Sequence, residues 1–303
     1  MQVVLQVTIM AVLMAVGFLL TRLKVLKNAD AKPLTAVVIN LANPATLIVA
    51  FEVKYTPERL TELLASTALA VIAHLAGMLI ARLLIRGKDK GRVSVERLSV
   101  IYTNCGFMGI PLVYGVFGSE GVFCLSAFYV VMSLLVFTHG AMTLQGSANK
   151  EAFKKVLKNP AIAAIVVGVV IFLTGFQLPE IIGKPIEYFA GVTTPLAMVV
   201  AGITIAGAKL KELFTSPRLY YISAVRLFVV PLAALGVSAL MALPFGISEL
   251  VIKVNFLAAA CPTATMCVML ALEHGRDSAL AARIFALTTI LSLVSIPLLM
   301  WLI

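Results

Sequence analysis

The chain has 303 residues, 61% of them hydrophobic and only 13% charged, with a formal net charge of +10. Soluble domains hold roughly 45–50% apolar residues, so this composition excludes a water-soluble globular protein. It also removes the nucleic-acid partner that a basic chain invites, because no soluble domain is left to gather the charge on one face.

Apolar runs read against breaks at Pro, Gly and charge predict an all-α polytopic protein with ten spans. They lie at roughly 2–21, 33–51, 60–85, 96–117, 120–144, 160–177, 181–208, 217–243, 248–272 and 278–302. Several of these runs reach the roughly 20 residues that cross a hydrocarbon core, and they are long and apolar, unlike the short alternating strands of a barrel. The first run has no basic region ahead of it and ends in Arg22 and Lys24, so it reads as a retained helix rather than a signal peptide. Span two contains Asn40 and Asn43-Pro44, and span seven, second in its own half, contains Thr193, Thr194 and Pro195. These polar groups either face a common cavity or bond neighbouring helices. His74 in span three and His139 in span five read as histidines bonded within a bundle or as proton relays. Prolines 185, 195, 231 and 297 read as kinks.

Spans four and nine are the least helix-like. Span four reads Tyr102-Thr103-Asn104-Cys105-Gly106-Phe107-Met108-Gly109-Ile110-Pro111, and span nine contains Ala260-Cys261-Pro262-Thr263-Ala264-Thr265. Small, hydroxyl and helix-breaking residues at mid-span predict an interrupted helix, whose freed N–H groups and positive half-helix end hold an anion without a cationic side chain. Interruptions at matching places in two halves are the strongest sequence sign of a transporter site. Asn104 and Thr263 are the leading candidate ligands, with Thr103, Cys105, Gly106, Pro262 and Thr265 around them and Asn40 and Asn43 opposite. Their alternative role is to cap freed carbonyls. Arg226, about nine residues into span eight, is expected to snorkel to the membrane surface.

The polar stretch 145–159 divides the chain into repeats at 1–144 and 160–303. Five spans per repeat force the second into inverted topology. Of the 24 lysines and arginines, 19 fall in the odd-to-even connections, which predicts that these face the cytoplasm and that both termini lie outside. All four cysteines sit in apolar runs and read as small buried hydrophobes. No paired-histidine metal motif, serine elbow or phosphate-cradling loop with its lysine occurs, so no enzyme, cofactor or metal is expected.

The run Asn104-Cys105-Gly106-Phe107-Met108-Gly109-Ile110-Pro111-Leu112 resembles the Asn-x-x-x-Met-Gly-Ile-Pro-Leu signature of the auxin efflux carrier family, which includes plant PIN proteins and bacterial malate or malonate permeases. Ala260-Cys261-Pro262-Thr263 sits where that family has its second crossover proline, and the resemblance spans the chain. It implies a bile-acid-symporter-like (NhaA-like) fold with spans four and nine crossing at the midplane. Spans one, two, six and seven would form a scaffold and the others a transport domain. It further implies a homodimer through the scaffold and Asn104 as a ligand of a substrate carboxylate, in a bacterial inner membrane. Thr103 departs from plant members, which carry proline there. The function expected is alternating-access transport of small organic anions such as auxin-like acids, malate or malonate. The alternatives are a sodium-coupled symporter and a membrane ligand sensor.

Overall fold

A computed structural model describes residues 2–145, 158–207 and 213–302, so of the expected central linker residues 146–157 lie outside the described residues. Among the described residues every regular element is helical. In chain order they are α1 (Gln2–Arg22), α2 (Asn28–Phe51), α3 (Pro57–Leu84), α4 (Lys90–Ile101), α5 (Cys105–Gln145), α6 (Pro160–Thr174), α7 (Glu180–Gly207), α8 (Pro217–Phe245), α9 (Glu249–Ala260), α10 (Thr265–Glu273) and α11 (Ser278–Met300).

Seven of these, α1, α2, α3, α5, α7, α8 and α11, are long and apolar enough to cross a membrane. The 41 residues of α5 are not one rod, because Gly118 has φ +63° and ψ −155°, a conformation open to glycine and costly for other residues. It separates the stretches expected as spans four and five. Helix α6 is shorter than expected, since Gly175 in the left-handed region (φ +67°) ends it at Thr174. Local chemistry sets the starts. Thr56, Asp89, Asn159, Ser248 and Asp277 each accept a backbone N–H from the first turn they precede, and Pro57, Pro160 and Pro217 occupy first-turn positions where a missing N–H costs nothing.

Helices α1 and α7 cross at backbone distance. A Cβ on Gly17 would lie 2.1 Å from Val199 O, and one on Gly202 would lie 2.0 Å from Met14 O. Helix α6 packs on α2 with Gly168 against the Phe51 side chain, and Thr46 of α2 hydrogen-bonds Thr193 of α7 at 2.7 Å. At one end Glu96, only 1% exposed, ties α4 to α8 through Arg218 (Nη2 to Oε2, 2.6 Å) and is also bonded by Arg92. Large apolar side chains such as Leu5, Leu64, Leu79, Val166 and Leu243 are left on the outside, the surface a hydrocarbon solvent requires.

Candidate functional site

Helix α4 stops at Ile101, the chain runs extended through Tyr102, and α5 starts at Cys105. Likewise α9 stops at Ala260, Cys261 and Ala264 are extended, and α10 starts at Thr265. The two interruptions lie side by side as an antiparallel bridge between Thr103 and Thr263. Asn104 N–H donates to Pro262 O at 2.8 Å, and Ala264 N–H donates to Tyr102 O at 2.9 Å. These bonds are reciprocal, so each segment satisfies backbone groups of the other that lipid would leave unpaired. The side chains repeat the exchange: Thr103 Oγ1 donates to Ala258 O at 2.6 Å and Thr263 Oγ1 to Ser99 O at 2.8 Å. Thr103 thus supplies a hydroxyl that a proline there would lack.

Arg226 does not snorkel, which corrects the expectation from its sequence position. It is fully buried, and its guanidinium donates to Val100 O (3.1 Å), Ala259 O (2.6 Å) and Cys261 O (2.7 Å). Val100 and Ala259 lie in the last turns of α4 and α9, and Cys261 is the C-cap of α9. Carbonyls there carry the negative end of each half-helix, so one fixed cation neutralises both. The pull of these three acceptors outweighs the reach to water because a guanidinium has several donors to satisfy at once.

The opposite, positive ends of the breaks open on a cavity of about 210 Å³. Gly106 and Phe107 from the first turn of α5, and Thr265 and Met266 from the first turn of α10, line it. First-turn N–H groups have no partner within their helix. Asn43, Thr103 and Asn104 add polar side chains beside them. The Asn104 side-chain amide makes no hydrogen bond with a described residue, although its backbone is held on both sides. Asn43 Nδ2 donates to Gly106 O at 3.0 Å, and its buried Oδ1 is left without a partner. Gly106 has to be glycine, since a Cβ would fall 2.4 Å from the Tyr129 ring that forms the neighbouring wall.

The structure therefore brings together Asn43, Thr103, Asn104, Gly106 and Thr265. Asn40 is not on this wall: it is exposed and donates to Ala36 O, because the wide π turn Val38–Ala42 rotates it away from Asn43. Cys105, Pro262 and Thr263 are buried behind the wall, and Thr263 N–H also donates to Thr288 Oγ1. Thr193 and Thr194 lie off the cavity. Sequence reading missed Tyr129, Thr35 and Asn159, which do line it. Asn159 carries a readable signal: Asn159-Pro160 is a helix-start pair, and the capping amide is thereby held at the cavity, 3.4 Å from Tyr129 Oη.

His74 Nδ1 bonds Ala70 O one turn back, and Tyr102 Oη donates to Leu135 O while lying 2.9 Å from His139 Nδ1. The four cysteines are free and buried, and the described residues contain no cluster able to hold a metal ion.

A family model described as membrane transport protein matches residues 2–155 and 147–300. An uncharacterised transporter of Methanothermobacter thermautotrophicus is 31% identical over 293 residues, covering 95% of this chain and 94% of its own length. Another, from Methanocaldococcus jannaschii, is 28% identical over 309 aligned positions, covering 97% of each chain.

Proposed function

We propose that this chain, which belongs to the membrane transport protein family, the auxin efflux carriers, moves small organic anions across a bilayer by alternating access. The observation that carries the proposal is the pair of half-helix N-termini opening on one cavity beside the unpaired amide of Asn104. Backbone dipoles and an amide attract a carboxylate but leave it free to depart, as a carrier requires. The described residues on that wall include no lysine, arginine or histidine, while Ile39, Phe107, Met132, Val136 and Phe137 are apolar. One negative charge is compensated there and a second is not, so the substrate is a monocarboxylate with an apolar body rather than a dianion such as malate or malonate. Asn43 Oδ1 offers an acceptor to an N–H or O–H on that body.

The architecture that goes with this is ten spans in two inverted halves, spans four and nine being α4 with the first part of α5, and α9 with α10. The reciprocal bonds between residues 102–104 and 262–264 support it, as does the packing of α1 on α7 and of α6 on α2. The two matched stretches of the family model also meet at the polar midpoint. Spans one, two, six and seven form the scaffold and the homodimer contact, and both termini lie outside. Sodium coupling would draw on carbonyls freed at the breaks, and Val100 O, Ala259 O and Cys261 O already accept from Arg226. Counterflow in proteoliposomes with labelled phenylacetate, indole-3-acetate, malate and malonate tests the proposal. Saturable exchange of a monocarboxylate is expected, and a panel with no exchange at all would overturn it.

A further inference from the structure

Two arginines stand inside the apolar helices of the second half, and they are used differently. Arg226 spends its guanidinium on three carbonyls, as above. Arg283, five residues past the first residue of α11, makes no hydrogen bond or ion pair with a described residue: its Nε, like that of Arg226, is buried without a partner, but the terminal nitrogens that Arg226 engages are left open. It lines a second cavity of about 550 Å³ together with Thr204 of α7, Leu213, Val268 of α10 and Phe285 of α11. Thr265 and Met269 line both this cavity and the one at the broken helices. They are four residues apart, so a single stripe of α10 is the partition between the two chambers.

We infer that Arg283 forms a second anion site, an antechamber that takes the carboxylate of a small apolar acid before it reaches the site at the broken helices. A guanidinium whose terminal nitrogens are open at the wall of a mostly apolar chamber attracts an anion. The apolar walls then suit the body of the same molecule, and Thr265, at the start of α10, is the next donor along its way. The identity of the acid rests on the proposed function, whereas the existence of the site rests on Arg283 and its cavity. Because the chamber lies where α7 ends and α11 begins, the phosphate of an anionic lipid can reach it and carries the same chemistry as a carboxylate.

The test is a titration of the purified full chain in phosphatidylcholine nanodiscs with para-fluorophenylacetate, followed by fluorine NMR. Wild type is expected to bind two equivalents, Arg283→Gln one, Asn104→Ala two with the equivalent at the broken helices about tenfold or more weaker, and Arg283→Lys two with the other equivalent about tenfold weaker because the planar fork is lost. Val268→Trp, which fills the chamber and leaves the charge in place, is expected to remove the same equivalent as Arg283→Gln, and serves should the latter fail to fold. An Arg283→Gln protein that still binds two equivalents overturns the inference, as does a wild type in which every bound equivalent depends on Asn104. Loss of the Arg283-dependent equivalent when phosphatidylglycerol replaces part of the phosphatidylcholine assigns the chamber to lipid and also overturns it. If Asn104→Ala binds both equivalents with unchanged affinity, the site at the broken helices fails while the Arg283 site stands.

Discussion

At Arg226 the cost of burying a charge is offset by three buried carbonyls at the helix ends that accept from it. Arg226→Met is expected to destabilise the fold by roughly 3–5 kcal/mol, with Arg226→Lys recovering part of the loss, as read from thermal unfolding in detergent. The opposite signature belongs to Asn104, whose side chain supports no other described group. Asn104→Ala should leave the unfolding temperature unchanged within a degree or two and weaken monocarboxylate binding about tenfold or more, the worth of a hydrogen bond to a charged group. Equal affinity in the variant would remove Asn104 from the site. Both residues are polar groups in the middle of apolar sequence, and what separates structure from binding is whether the side chain is already satisfied.

The broken helices act as one element although they are some 160 residues apart in the chain. Thr103→Val removes the hydroxyl that joins the break between α4 and α5 to the end of α9 and leaves Ala258 O without that donor, which is expected to cost about 1–2 kcal/mol in unfolding experiments. Crossing of α1 and α7 depends on two glycines with no room for a side chain. Gly202→Val should force the helices apart and destabilise by about 2–3 kcal/mol, whereas Gly236→Ala, on α8 with open space around it, should be neutral or slightly stabilising. Comparable effects of the two substitutions would mean that the close crossing contributes nothing.

For the whole molecule, the proposed carrier, with the carbonyls at Arg226 already occupied, is expected to transport without regard to sodium. Uptake of the accepted monocarboxylate should stay within about twofold when choline replaces sodium, since each tenfold change needs roughly 1.4 kcal/mol of coupling. A sodium-dependent rate would restore a symporter. Hydropathy and punctuation are local properties, and so the sequence by itself determined that the chain is helical and lives in lipid, and that its helices break near Asn104 and Pro262. The Asn104–Leu112 run carried the family as well. Which polar groups remain free is not local, because it depends on how each helix is rotated and on what lies opposite. A π turn takes Asn40 away from Asn43, and reciprocal bonding uses up Thr263 while sparing the Asn104 amide. Arg226 reads as a surface residue until the ends of α4 and α9 are brought to it from 126 and 33 residues away, and only the tertiary structure does that.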